Sequence, residues 1–280
     1  MKLLIHGGFF SESSQAEEVK KAKQDSMKRI VENAFEYLKN HTALETAAYA
    51  VSLLEDDPLF NAGIGSQIQS DGKIRMSASL MDGVSKKFSG VINVENVKNP
   101  IQIAEHLLRE EDKVLGGEGA IEYARLKGFK SFSTETNQRR KEYEQKLQSS
   151  GKGTVGCVAL DKNGNLAAAT STGGKGFEIP GRISDSATVA GNYANNTCAV
   201  SCTGVGEDIV SGAVAAKIAT RVSDGKSIQQ AFEKTFSELK EFDGFAGAIG
   251  VDNLGNWFWQ ESHPKIVFSA YDGTNLIVFN

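Results

Sequence analysis

The sequence predicts an α+β protein in which two packed, mostly antiparallel β-sheets are covered by helices within a single domain. Three observations carry that expectation. Strand-like segments cluster at the ends of the two halves of the chain, with helical periodicity gathered between them. A doubly wound parallel sheet would alternate strand and helix one for one. The phrase Asp161-Lys162-Asn163-Gly164-Asn165 joins two apolar runs as a hairpin signal, and Asp252-Asn253-Leu254-Gly255-Asn256 echoes it. Finally, 280 residues with 40% hydrophobic and 8% aromatic content suffice for the core of one large domain or two small ones.

The elements follow in order. Lys2 to Ile5 reads as a short buried strand ended by a turn at His6-Gly7-Gly8. Ser14 with Glu17 makes a capping-box pattern, after which Val19, Ala22, Ile30, Ala34 and Leu38 recur at helical spacing. Thr42 with Glu45 repeats that signature before Ala47, Ala48, Val51 and Leu54, so two consecutive helices are expected on one face of a sheet. Pro58 and a glycine-rich loop run to Ser66, Gln67 to Met81 reads as a hairpin about Ser70-Asp71-Gly72, and Gly90 to Val94 as a strand. Asn99 as N-cap with Pro100 at the first helical position predicts a helix through Leu108, and a further helix is expected over 118–126. Residues 131–153 are polar, charged and almost free of aliphatic side chains, which predicts a flexible linker. Beyond it come the first hairpin, helical periodicity over 208–222 and 227–239, the second hairpin, and strands at 266–268 and 276–279.

Charge and cysteine use narrow the classes. A net charge of −4, from 31 basic and 35 acidic residues without a basic run, argues against nucleic acid or an anionic membrane as partner. No segment approaches the roughly 20 apolar residues of a membrane span, and the start is too short in apolar residues for a signal peptide. Cys157, Cys198 and Cys202 make an odd count without metal-ligand spacing. Buried free thiols in a cytoplasmic protein are expected.

Residues 151–206 hold most of the readable chemistry. Gly153-Thr154-Val155-Gly156 is followed by Thr170-Ser171-Thr172-Gly173-Gly174, by Pro180-Gly181-Arg182-Ile183-Ser184-Asp185, and by Ser201-Cys202-Thr203-Gly204-Val205-Gly206-Glu207. A threonine hydroxyl becomes a competent nucleophile when its own α-amine is the base, which for Thr154 requires cleavage of the Gly153–Thr154 bond. Glycine before it tolerates the strained backbone that favours an N-to-O acyl shift. The plainer alternative is that Gly153-Thr154 opens a β-strand. Thr172 is either a partner of the Thr154 hydroxyl across the hairpin or a turn hydroxyl bonding local backbone. Arg182 and Asp185 are either solvated loop charges or a matched pair for an amino-acid head group.

These motifs, with His6-Gly7-Gly8, Asp57 to Ser66 and Ala78 to Gly83 in the first half, resemble the plant-type (type III) L-asparaginase and isoaspartyl aminopeptidase family of N-terminal-nucleophile hydrolases. The resemblance implies a four-layer αββα sandwich, cleaved by itself into an α chain (1–153) and a β chain (154–280). It implies hydrolysis of β-aspartyl amide bonds in L-asparagine and β-aspartyl dipeptides, with Thr154 as nucleophile and its freed amine as base. Thr172 would bond the nucleophile's oxygen, and Thr203 with the Gly204 N–H would hold the oxyanion. Arg182 would bind the substrate α-carboxylate and Asp185 its α-amine, with main chain near Gly206 helping and Asn61 placed beside the nucleophile. No cofactor is required, although backbone carbonyls of Leu54, Glu55, Asp57, Phe60, Ala62 and Ile64 could hold a structural sodium ion. Two α/β pairs would associate as (αβ)2.

Two positions depart from the family pattern. Phe9-Phe10 stands where relatives usually carry small residues, and Ser77 where they often carry aspartate. Both support an alternative, a processing-deficient relative serving as scaffold or binding protein. A glycosylasparaginase or threonine aspartase would share the nucleophile and differ in substrate. Gly204-Val205-Gly206 also suggests a nucleotide-binding turn, but position 209 is isoleucine and no Gly-Lys-Ser/Thr follows.

Overall fold

The computed structural model describes residues 1–10, 16–145, 153–263 and 265–280. In chain order its first half contains β1 (Lys2–Phe9), α1 (Ala16–Leu38), α2 (Ala43–Glu55), β2 (Met76–Asp82), β3 (Lys87–Val94), α3 (Pro100–Leu107), β4 (Val114–Gly116), α4 (Gly117–Leu126) and α5 (Asn137–Glu144). The second half contains β5 (Thr154–Leu160), β6 (Leu166–Thr172), β7 (Asn192–Ala194), β8 (Cys198–Gly204), α6 (Gly206–Gly212), α7 (Val214–Ser223) and α8 (Ile228–Leu239). Four strands close it: β9 (Ala246–Asp252), β10 (Trp257–Glu261), β11 (Ile266–Tyr271) and β12 (Leu276–Val278).

Eight strands form one sheet in the order β12-β11-β1-β5-β6-β2-β3-β4, and four form a second in the order β10-β9-β8-β7. Among the described pairings only β3 with β4 is parallel. Helices α1, α2 and α3 pack on the outer face of the large sheet, α7 and α8 on that of the small one, and β5 and β6 face β8 across the middle. The expected αββα layering is therefore present. A large apolar cluster around Leu4, Ile30, Val51, Leu80 and Val158 fills the first helix–sheet interface. A smaller one around Ile218, Phe232 and Phe236 fills the second.

Local chemistry explains the elements the sequence predicted well. Thr42 caps α2 by a reciprocal capping box with Glu45, and Ser227 caps α8 with Gln230 in the same way. Both hairpin phrases turn through their aspartates. Asp161 Oδ1 accepts from the amides of Asn163 and Asn165, and Asp252 Oδ1 from those of Leu254 and Asn256. Asp161 Oδ2 also accepts from the Ala43 amide at 3.2 Å, tying this turn to the start of α2.

Other expectations need correction. His6-Gly7-Gly8 does not end β1 but lies within it, paired to β5, with an irregular register toward β11 between His6 and Phe9. Residues 67–75 make the turn at 70–72 without a ladder, and the strand begins only at Met76. The linker predicted over 131–153 contains helix α5, held by Arg139 Nε donating to the Gly65 carbonyl, Tyr143 donating to that of Ser70, and Tyr143 stacking on Phe177. The helix expected over 208–222 breaks at Ala213, which takes a left-handed conformation at φ 48°. The capping box of Ser14 lies outside the described residues.

Asn99 starts α3 but its side chain does not cap it, turning instead to Ser52 and Asp56. Glu55 from α2 takes that place. Its Oε1 accepts from the Ile101 amide at 3.1 Å and from the Ser171 hydroxyl at 2.6 Å, while Oε2 is buried without a partner. Burial pushes the Glu55 carboxyl up to about 8. In the unfolded chain it ionises near 4.5, so stability falls as pH rises from there to about 8 and is level above. Glu55→Gln should therefore melt higher than the parent at pH 9, by roughly 5 °C, with the gap closing near pH 5. Parallel melting curves across that range would refute the assignment.

Candidate active site

The site forms where the start of β5 meets the end of β6. Thr154 and Thr172 are direct partners in the antiparallel register, and their hydroxyls are 3.3 Å apart. The Thr154 nitrogen donates to Thr203 Oγ1, also at 3.3 Å, from the end of β8 in the facing sheet. Three threonines separated by 18 and 31 positions in sequence thus converge at one point, all buried. Gly204 follows at φ 142°, where a side chain would meet the Phe245 carbonyl at 2.5 Å.

His6 fixes the backbone of Thr154. The ring is fully buried, and burial holds it far down, to about 3, so it stays neutral. Its Nδ1 lies 3.0 Å from the Thr154 carbonyl, which can only accept, so Nδ1 carries the proton. Nε2 then accepts from the Ser201 hydroxyl at 2.8 Å, and Ser201 lies 2.7 Å from that of Thr170. Gly156 leaves room for this chain of bonds, since a Cβ there would sit 2.0 Å from Ser201 Oγ and 2.3 Å from His6 Nε2.

Asn61 stands against Gly153, where an added Cβ would lie 2.9 Å from its own. Its bonds go to the glycine turn after Thr172. Nδ2 donates to the Gly174 carbonyl, Oδ1 accepts from the Gln67 amide, and its carbonyl accepts from Gly173. The departures from the family pattern also have local partners. Phe9 packs edge-on against Phe245 and across Gly247, and Ser77 Oγ accepts from the Asn93 amide where β2 and β3 slip register.

A second group of residues surrounds Gly206. A Cβ there would meet Ser184 Oγ at 2.3 Å, Asp185 Oδ1 at 2.9 Å and Arg182 Nη2 at 3.0 Å, so glycine is what lets the three converge. Arg182 is paired by two bonds, 2.6 and 2.8 Å, to Glu207 in the first turn of α6. That pairing uses Nε and Nη2 of the guanidinium, and its hydrogen bonds draw the Glu207 carboxyl down to about 2. Asp185 is 1% exposed, Oδ1 accepts from Ser184 at 2.7 Å, and Oδ2 has no partner. Burial raises its carboxyl to about 6, against the opposing pull of Ser184 and Arg182.

Sequence reasoning named Thr154, Thr172, Thr203, Arg182, Asp185 and Gly206, and the fold brings them into these two groups. It missed the pairing of Glu207 with Arg182, the part played by Ser184, and Glu178, a buried carboxylate whose Oε1 lies 1.9 Å from where Gly174 would carry a Cβ. Only the acidic first turn of α6 hinted at the first of these.

The loop of the suggested sodium ion is tightly wound. The Glu55 carbonyl oxygen lies 2.1 Å from where Gly63 would carry a Cβ, and the Phe60 carbonyl 1.8 Å from that of Gly65. Of the carbonyls named for the ion, those of Leu54, Asp57 and Ala62 accept from the amides of Asp57, Phe60 and Gly65 within the loop. Among the described residues no group of three or more His, Cys, Asp or Glu side chains is arranged to hold a metal. No described helix is long and apolar enough to cross a membrane.

Comparison with known proteins bears directly on this arrangement. A sequence model of the family described as Asparaginase matches residues 1–278. The chain belongs to the asparaginase family. Relatives in that family include the isoaspartyl peptidase/L-asparaginase of Nostoc sp., 42% identical over 98% of this chain and 93% of its own length. The protein of the same description from Synechocystis sp. is 41% identical over 98% of this chain and 88% of its own. The isoaspartyl peptidase of Escherichia coli is 36% identical over 91% of this chain and 87% of its own.

Proposed function

We propose that this member of the asparaginase family hydrolyses β-aspartyl amide bonds, releasing aspartate from L-asparagine and from β-aspartyl dipeptides, with Thr154 as nucleophile. The observation that carries the reading is the convergence of Thr172 and Thr203 on the hydroxyl and nitrogen of Thr154. Scission of the Gly153–Thr154 bond turns that nitrogen into a free amine beside the hydroxyl it must deprotonate. The resulting α chain would end at Gly153 and the β chain begin at Thr154.

The chemistry follows from these positions. Thr154 Oγ attacks the amide carbon while the amine accepts its proton. Thr203 and the Gly204 N–H steady the oxyanion, each such donor being worth roughly 2.7 to 4 kcal/mol. The C–N bond breaks as the amine returns the proton to the departing nitrogen, leaving an aspartyl ester on Thr154. Water, deprotonated by the same amine, attacks the ester and frees aspartate. The orphaned Oδ2 of Asp185 is an acceptor for the substrate ammonium, and the Nη1 end of Arg182 a donor to its α-carboxylate.

Arg182→Ala should raise KM for L-asparagine about a hundredfold and change kcat far less, because the head group binds alike before and during reaction. Unchanged kinetics would remove Arg182 from binding. Release of aspartate from L-asparagine and a β-aspartyl dipeptide, set against glycosylated asparagine and a protein substrate, tests the substrate class. The carbonyls of Leu54, Glu55, Asp57, Phe60, Ala62 and Ile64 would hold a sodium ion that stiffens the loop bearing Asn61. Association as (αβ)2 is testable by light scattering.

A further inference from the structure

The three threonines of the site are backed by a second tier of polar side chains, two residues further along each strand. In the antiparallel register Thr154 faces Thr172 and Gly156 faces Thr170, while His6 of β1 lies opposite Gly156. Ser201 stands two residues before Thr203 on β8, so strand alternation puts both on one face. Asn192 of β7 pairs with Ser201 in its turn. His6, Ser201, Thr170 and Asn192 are all fully buried, and the chemistry above gives none of them a step.

The count of protons gives their bonds one direction. The Thr154 carbonyl can only accept, so His6 Nδ1 carries the ring's proton and Nε2 must accept. The single proton of Ser201 therefore goes to Nε2 at 2.8 Å, and the 2.7 Å contact between Ser201 and Thr170 is filled by the Thr170 proton. The carbonyls of Ala169 and Gly191 lie farther from these hydroxyls, both at 3.4 Å, and giving either one a proton would leave a shorter contact bare. Thr170 has no proton left for the Asn192 side chain 3.2 Å away. Asn192 must then present its amide nitrogen there, which gives a partner to a buried Nδ2 that has none in the opposite orientation. Asn192 thus donates to Thr170, Thr170 to Ser201, Ser201 to His6, and His6 to the Thr154 carbonyl.

A one-way chain of this kind strengthens its last bond, because each donor is polarised by the one behind it. That bond matters most after scission. β1 pairs with β5 as far as Gly7 opposite Val155, one residue short of Thr154. Once the Gly153–Thr154 bond is cut, nothing covalent restrains the amine side of Thr154. Rotation about its Cα–C bond would then swing amine and hydroxyl away from Thr203 and Thr172. The carbonyl is the fixed end of that torsion, and the His6 ring grips it.

We propose that His6, Ser201, Thr170 and Asn192 form a directional positioning relay, which holds the Thr154 carbonyl so that the freed amine and hydroxyl keep their geometry for attack. The proposal rests on the reading of Thr154 as an N-terminal nucleophile and adds the residues that set its kcat. Among the described residues His6 is the only fully buried histidine. With 15N-labelled histidine, the split wild type should therefore show one slowly exchanging neutral ring with its proton on Nδ1. In Ser201→Ala and in Thr170→Val that proton should exchange faster. Their kcat for L-asparagine, counted per split chain by intact mass, should fall about tenfold, with KM changed less than about twofold. Thr170→Ser keeps the hydroxyl and should retain the wild-type exchange and kcat.

A proton on Nε2 in the wild type overturns the relay without any variant. Wild-type kcat in Thr170→Val, or an equal loss in Thr170→Ser, overturns it as well, and so does an effect on KM alone, which would place these side chains in substrate binding. Should Ser201→Ala fail to fold or to split, the two Thr170 variants decide, being one bond farther from the nucleophile. A wild type that releases aspartate from neither L-asparagine nor a β-aspartyl dipeptide fails the β-aspartyl reading instead, and the tautomer of His6 still tests the direction of the relay.

Discussion

Thr154→Ala should remain a single 280-residue chain indefinitely and release no aspartate, whereas the wild type resolves into two chains, the smaller beginning at Thr154. Intact mass under denaturing conditions, taken fresh and after days at 37 °C, reads both outcomes. The expected fall in turnover is at least about 10^4-fold, since removing a nucleophile disables the whole catalytic unit. Unfolding would not account for it. Among the described residues the only side-chain bond of Thr154 is the 3.3 Å contact to Thr172, so alanine there costs about 1 kcal/mol of stability. The carbonyl held by His6 and the nitrogen held at Thr203 belong to the backbone and survive the substitution. Thr154→Ser keeps the hydroxyl and should still cleave. A Thr154→Ala protein that releases aspartate at the wild-type rate would end the nucleophile assignment, and a wild type that never splits would favour the scaffold alternative.

What the sequence disclosed depended on how local the governing chemistry is. The Asp161 turn is closed by its own neighbours, so the hairpin was legible, and with it the pairing of Thr154 with Thr172. Capping boxes at Thr42 and Ser227 are local in the same sense. His6-Gly7-Gly8 resembled a turn because two glycines usually mark one. Here Gly7 is small because the Phe60 ring occupies the space, with a Cβ predicted only 2.5 Å from it, and Phe60 lies 53 positions away. Helix α5 has no buried residues and no apolar stripe, so it reads as linker, and bonds from Arg139 and Tyr143 to distant carbonyls hold it. The Arg182–Glu207 pair spans 25 positions and the Glu55 cap of α3 spans 46, distances at which neither spacing nor periodicity carries a signal. The break at Ala213 follows Gly212, but the left-handed conformation falls on the alanine, where a side chain disfavours it, and not on the glycine.

Asp185→Asn should move activity and stability in opposite directions. Asparagine keeps the shape but cannot pair with an ammonium, and loss of one partner of a buried charge pair costs about 2–5 kcal/mol. A fall in kcat/KM for L-asparagine of about a thousandfold is expected, most of it in KM. In the free protein the same carboxylate is a liability, since it is buried with Oδ2 unpartnered and ionises only near 6 instead of 3.8. The unfolded chain gives up this proton at lower pH than the folded one, so the penalty grows from about pH 4 to 6 and is complete above. That separation corresponds to on the order of 2–3 kcal/mol. Asp185→Asn should accordingly melt roughly 5 °C higher than the wild type at pH 7.5 and show no advantage at pH 4. Wild-type kcat/KM should also decline below about pH 6 as Asp185 takes up its proton. A variant that is less active and no more stable at pH 7.5 would mean that Asp185 is already compensated in the free protein. The open Oδ2 is therefore the feature that couples weak packing to tight binding here, and the melting curve and the KM measure it independently.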